Sequence, residues 1–160
     1  MIVDTLHGYF SKSTVAFEHF SADVVRMMDA NVISIDVTRP NRDGGRDGIG
    51  KYRLSQPQNC VTVEFAVEAK CYARHNGVGV KAISRLISRL RHRQFGILVT
   101  TSYLAAQAYN EIVDDEHPIV VCAGGDIAEL LITKRGFRNG KELTEWLELN
   151  YPRTDMKNKK

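Results

Sequence analysis

Residues 61–70, Val-Thr-Val-Glu-Phe-Ala-Val-Glu-Ala-Lys, alternate with period two. In an extended strand Val61, Val63, Phe65, Val67 and Ala69 share one face, and Glu64, Ala66, Glu68 and Lys70 share the other. The first face belongs on a core. The second ends in a carboxylate and an ammonium group, which are costly to bury without partners. A chain built on this strand needs a sheet for the apolar face and a polar site for the strand's end.

The flanking segments predict the rest of that sheet. Val32 to Thr38 is β-branched and alternating, stops before Pro40, and is followed by the tight turn Asn41-Arg42-Asp43-Gly44-Gly45. A short strand is expected from about Asp47 to Leu54, with a turn at Pro57-Gln58-Asn59. Phe95 to Thr100 (FGILVT) is nearly all apolar, as expected of a strand covered on both faces. Pro118 to Cys122 reads as one more strand, followed by the turn Ala123-Gly124-Gly125.

Helices fall between these runs. Ser13 or Thr14 can cap a helix carrying the stripe Phe17, Phe20, Val24, Val25 and Met28. Val80, Ile83, Ile87 and Leu90 predict a helix over Val78 to Gln94, and further helices are expected over 102–113, from a cap at Asp126, and over 140–147. Strands cluster first and then alternate with helices, which predicts one α/β domain with a mixed sheet between helical layers. It spans residues 1–152, and the polar residues 153–160 form a frayed tail. Trp146 is expected to anchor the last helix.

Composition narrows the function classes. The 160 residues are 43% hydrophobic and 26% charged, ordinary for a globular domain. No apolar run approaches the roughly 20 residues that cross a bilayer, and MIVDTLHGYF lacks the pattern of a signal peptide. No membrane role is expected, and a cytoplasmic location is. Cys60, Cys71 and Cys122 have no metal-ligand or disulfide spacing, fit a reducing compartment, and are expected to pack as small apolar groups. Charge is segregated. Lys70, Arg74, Lys81, Arg85, Arg89, Arg91 and Arg93 fall between Glu68 and Glu111 with no acid among them, while 111–130 holds six acids and no Lys or Arg. A positive surface for a polyanion follows.

The spacing of Glu68 and Lys70 projects both from one strand face, roughly 7 Å apart at ~3.3 Å per residue. If the strand after the Asp43–Asp47 turn pairs with 61–70 as a hairpin, Asp47 lies beside Glu68. Two carboxylates there repel unless a hard cation separates them, and Mg²⁺ suits such a site. Lys70 alongside can position water and phosphate and stabilise developing charge.

The run R-D-G-G-R-D-G followed by V-E-A-K resembles the PD-(D/E)xK nuclease motif, its Asp on Asp47 and its ExK on Glu68-Ala69-Lys70. The chain more closely resembles the Mrr-type catalytic domain of restriction endonucleases. Its matching features are Phe17-Glu18, the D-G-G-x-D turn Asp43–Asp47, Glu68-x-Lys70 with Tyr72 nearby, and Thr100-Thr101-Ser102, over about 17–131. Many Mrr-type domains carry Gln at the position of Glu68, and Glu here restores the commoner nuclease pattern. The resemblance implies a three-layer α/β/α restriction-endonuclease-like fold and hydrolysis of DNA phosphodiesters to 5′-phosphate and 3′-hydroxyl ends. It implies a metal site of Asp47, Glu68 and the Ala69 carbonyl holding Mg²⁺, with Mn²⁺ as a substitute, and support from Glu18. The expected partner is double-stranded DNA, with a homodimer for double-strand cleavage and specificity supplied by another domain or subunit of a restriction system.

Several residues have plainer readings. A strand Glu-x-Lys by itself is usually a solvated face. Asp43, before Gly-Gly, is read as a turn former and Asp47 as the metal ligand. Glu64 lies about 13 Å from Glu68 along the strand and is read as a surface group. Asn76-Gly77-Val78-Gly79 matches no phosphate-binding loop, and His75 and His92 lack ligand spacing. Lys81, Arg85, Arg89 and Arg93 recur every four residues and are read as a DNA phosphate track. Pairing of these arginines with Asp114, Asp115 and Glu116 is the alternative. Two other functions stay open: a Holliday-junction-resolvase-like nuclease, and a catalytically inactive DNA-binding module on the same fold.

Overall fold

The computed structural model describes residues 1–37, 47–55, 57–90 and 93–153. Its elements are α1 (Ile2–Phe10), α2 (Thr14–Met28), β1 (Val32–Val37), β2 (Gly48–Arg53), a 3-10 turn (Pro57–Asn59), β3 (Thr62–Lys70), α3 (Val80–Leu90), β4 (Phe95–Thr100), α4 (Ala106–Asp114), β5 (Ile119–Cys122), α5 (Gly124–Arg135) and α6 (Gly140–Asn150). The strands form one five-stranded sheet in chain order. β1, β2 and β3 run antiparallel, whereas β3, β4 and β5 run parallel. The sheet is therefore mixed, as expected, and β3 stands where the two halves meet.

The two faces of β3 sort as the alternation requires. Phe65 and Val67 enter a core with Ile35, Ile97 and Val99, under Phe10, Phe17, Phe20 and Val24 of α1 and α2 and Ile127, Leu131, Leu143 and Leu147 of α5 and α6. Ala66 enters a second core with Leu98, under Ile83, Leu86 and Leu90 of α3 and Ala108 and Ile112 of α4. Helices thus cover both faces, which explains why β4 is buried from Gly96 to Thr100. On the α3 side, close approach depends on small residues. Ala66 pairs with Gly96, and a Cβ added to Gly96 meets Leu86 Cγ at 3.1 Å and Leu90 Cδ2 at 3.2 Å.

Helix α1 lies outside the elements that the sequence pattern predicts. Its Ile2, Leu6, Tyr9 and Phe10 are buried, and it packs against α5 and α6. The Tyr9 hydroxyl donates to the carbonyls of Leu147 and Tyr151 at 3.2 and 2.9 Å. Trp146 anchors α6 as expected, with its ring 5.3 Å from Phe137 and 5.4 Å from Tyr151. α3 is shorter than the periodicity predicts at both ends. Val78 is held instead in a bridge to Leu104, which also delays the start of α4. Asp126 is not an N-cap but lies inside α5, where its carboxylate accepts from the Ala123 N–H at 2.8 Å. Among the cysteines Cys122 is buried and Cys71 half-buried, but Cys60 is exposed, because it lies outside the strand in the turn before β3. Among the described residues no helix is long and apolar enough to cross a membrane.

Candidate active site

The β2–β3 hairpin delivers Asp47 to the end of β3. Gly48 pairs with Val67, so the residue before Gly48 arrives beside Glu68 and Ala69. The Ala69 N–H donates to Asp47 Oδ2 at 2.6 Å. The predicted turn Asn41–Gly45, with Asp43, lies outside the described residues, as do Arg91, His92 and residues 154–160 of the expected tail.

Glu68 has no solvent exposure. Its Oε1 accepts from Lys70 Nζ at 2.6 Å, as two side chains on one strand face can do. Its Oε2 accepts from the Arg89 guanidinium at 2.9 Å, and Arg85 Nε stands 3.9 Å from Oε1. Lys70 also donates to the Ala69 carbonyl at 3.3 Å. Burying a carboxylate is costly unless opposite charge and hydrogen bonds compensate, and here cations from two different elements do so.

A cleft of about 310 Å³ opens beside this cluster, lined by Glu18, Asp47, Ala69, Lys70, Tyr72 and Phe17 among others. Burial pushes the Glu18 carboxyl up to about 7, with the neighbouring Asp47 adding to the rise and Lys70 opposing it. Burial also raises Asp47, followed by repulsion from Glu68, against the Ala69 N–H and Lys70, which lower it. Carboxylates that resist ionisation because they are buried, and next because they face one another, suit a hard cation. Among the described residues no three His, Cys, Asp or Glu side chains form a ready coordination sphere. An ion here would draw on two carboxylates, the Ala69 carbonyl and water, the mode in which Mg²⁺ is held. A larger hollow of about 770 Å³ lies between α1 and α5, lined by Val3, Ser102, Gly124 and Ile132, and contains none of these carboxylates.

The strand end is fixed from behind by hydroxyls. Thr100 Oγ1 donates to the Lys70 carbonyl at 2.8 Å. Thr101 Oγ1 donates to the Tyr72 carbonyl at 2.7 Å and accepts from the Tyr72 N–H at 2.9 Å. Ser102 Oγ donates to the Asn76 carbonyl at 2.8 Å. All three residues are buried. They span the gap where β3 has ended and its backbone groups need other partners.

Lys81, Arg85 and Arg89 of α3 and Arg93 beyond its end do not share one exposed edge. Lys81 is exposed and Arg85 is 48% exposed at its side chain, but Arg89 is only 16% exposed and engaged with Glu68. Arg93 is half-buried, with Nη1 3.5 Å from the Arg89 carbonyl. The expectation of four cations facing solvent therefore holds for Lys81 and Arg85. The acid that Arg89 meets is Glu68 rather than the stretch 114–116. Glu64 is exposed, as expected of a surface group. Sequence reading missed Arg89 as a partner of Glu68 and the hydroxyls of Thr100, Thr101 and Ser102 as clamps. The T-T-S run itself was the available signal for the second.

The sequence profile of the Mrr catalytic family, described as "Restriction endonuclease", matches residues 11–131. Two solved structures resemble the chain. The DNA modification-dependent restriction endonuclease AspBHI is 43% identical with a TM-score of 0.83, over 92% of this chain and 38% of that one. The MspJI restriction endonuclease in complex with a 27-mer oligonucleotide is 27% identical with a TM-score of 0.78, over 92% of this chain and 34% of that one. The chain thus spans little more than a third of either enzyme's length. No curated protein gives a significant match.

Proposed function

This chain belongs to the Mrr-type restriction endonuclease catalytic family, and we propose that it is the metal-dependent cleavage domain of a modification-dependent restriction enzyme. The carrying observation is the gathering of Asp47, Ala69, Glu68 and Lys70 at one strand end, linked by hydrogen bonds, where Asp47, Ala69 and Lys70 line a cleft with Glu18 and Glu68 lies buried against Lys70. In this reading the reaction is hydrolysis of a DNA phosphodiester to 5′-phosphate and 3′-hydroxyl ends. Asp47, Glu68 and the Ala69 carbonyl would hold Mg²⁺, or Mn²⁺ in its place. A divalent ion so held supplies Lewis-acid stabilisation of charge on the reacting phosphate.

The side chains divide the remaining work. The Ala69 N–H fixes the Asp47 carboxylate, leaving its orientation little freedom. Lys70, on the strand that carries both Glu68 and Ala69, reaches the cleft with an ammonium group able to meet a phosphate oxygen where negative charge grows. Glu18, raised to about 7, can hold a proton at neutral pH and release it when a cation enters. Lys81 and Arg85 contribute phosphate contacts that position DNA without reading bases. The name of the AspBHI enzyme supports modified DNA as substrate. Sequence selection then falls to chain beyond this domain or to another subunit, and cutting both strands takes two such sites, as two copies of the chain supply.

Incubation with supercoiled, methylated and branched DNA, with Mg²⁺ or excess chelator, tests the reading. Cleavage of methylated DNA in Mg²⁺ alone is expected. Cleavage confined to branched DNA would instead identify a junction-specific nuclease, and binding with no cleavage an inactive module.

A further inference from the structure

We infer that Arg89 is a positioning residue for the reaction, holding the Glu68 carboxylate in place from the helix opposite, rather than a contact to the DNA backbone. The inference rests on the proposed role of Glu68. Its starting point is that both oxygens of a carboxylate with no exposure are taken by cations of unequal freedom. Lys70 is a flexible ammonium at the cleft, and a phosphate oxygen there would share its three donors with Oε1 and the Ala69 carbonyl. Arg89 then remains as the cation that keeps Glu68 compensated and oriented.

The fold suits Arg89 to that task. α3 is docked through Ile83, Leu86 and Leu90, all buried, and Leu86 and Leu90 close tightly over Gly96. The guanidinium is thus carried by a packed helix and turned toward the sheet, with 16% of the side chain exposed. Arg85, one turn earlier, is three times more exposed and stands 3.9 Å away, so it does not replace the 2.9 Å bond. Arginine keeps its charge at any working pH, and its planar fork fixes direction as an ammonium does not.

The test uses Arg89→Met, Arg89→Lys, Asp47→Asn and the double variant Arg89→Met with Glu68→Gln. Thermal unfolding in EDTA, single-turnover cleavage of methylated duplex DNA in saturating Mg²⁺, and DNA affinity across salt are measured on each. Arg89→Met is expected to lower Tm by roughly 6–20 °C, because it strands a buried charge. The added Glu68→Gln should recover at least about half of that loss. Cleavage at saturating DNA, measured below the variant's Tm, should fall about 100-fold, while affinity changes less than about threefold and the salt slope stays unchanged. Arg89→Lys should restore the rate to within about tenfold of the parent.

A Tm within about a degree of the parent, or a salt slope flattened by about 0.9, makes Arg89 a phosphate contact and overturns the inference. If Arg89→Met does not fold, folding of the double variant supports the pairing, and its failure to fold refutes it. Full cleavage by Asp47→Asn overturns the site reading and the role of Arg89 with it. Asp47→Asn without activity beside Arg89→Met at the parent rate overturns the inference alone.

Discussion

Replacing Glu18 by Gln should stabilise the metal-free protein at neutral and alkaline pH. Glu18 sits on α2 over the cleft and has its carboxyl raised from 4.5 to about 7, by burial first and by Asp47 second. For an acid raised on folding, the folded state binds more protons than the unfolded one between those two values. Stability therefore falls as pH rises from about 4.5 to about 7, and the cost is complete above that. A rise of this size corresponds to about 3 kcal/mol, and access of water to the cleft reduces it to roughly 1–2 kcal/mol. Asp47 is shifted in the same direction and adds to the same slope. Glu18→Gln keeps the shape, removes one charge, and should raise Tm by about 3–6 °C at about pH 8 in EDTA. At about pH 4 the two proteins should unfold together, since both then carry a neutral group. Saturating Mg²⁺ should stabilise the parent more than the variant, because the parent has more repulsion to relieve. The measurement is calorimetric unfolding of both proteins across pH, with and without metal. A variant that melts at or below the parent at about pH 8 in EDTA refutes the reasoning.

Other expectations follow from the same geometry. Excess EDTA and Asp47→Asn should each abolish cleavage in a plasmid assay, with Asp43→Asn costing less; the reverse order for the two aspartates would reassign the metal ligand. Lys70→Ala should lower the single-turnover rate far more than DNA affinity, since one phosphate contact among many contributes little to binding, and equal losses would make Lys70 an ordinary binding residue. Changing Lys81 and Arg85 together to Ala should weaken binding alike on unrelated duplexes and flatten the plot of log K against log salt by up to about 1.8, whereas an unchanged slope removes this end of α3 from the DNA surface.

The sequence carried the sheet and the residues of the candidate site further than it carried their surroundings. Period-two alternation gave β3 its two faces, and the FGILVT run gave β4 its double cover, because side-chain direction in a strand depends only on parity. The helix carrying Arg89 misled for a geometric reason. Four residues advance an α-helix by 400°, so a row at that spacing drifts about 40° per step. Lys81 begins in solvent, Arg85 is half-covered, and Arg89 has swung against the sheet. Its contact with Glu68 also depends on Gly96 and Ala66 letting α3 close in, and that is a property of packing rather than of local pattern. Helix α1 was legible in principle, since Ile2, Leu6, Tyr9 and Phe10 fall at helical spacing. No Ser, Thr, Asp or Asn precedes Ile2 to mark the start of the helix.

The clamp of Thr100, Thr101 and Ser102 has a consequence for how the domain meets changing ionic strength. Uncharged hydroxyls of buried residues bond the chain at Lys70, Tyr72 and Asn76, and dissolved ions screen charges far more than such dipoles. Attachment to nucleic acid is of the opposite kind and weakens steeply with added salt. Raising salt should therefore detach the polymer from a reactive edge whose shape persists, and dilution should return a competent surface without a refolding lag. Hydrogen exchange at the Tyr72 and Ser102 amides, followed across salt, would register that persistence directly.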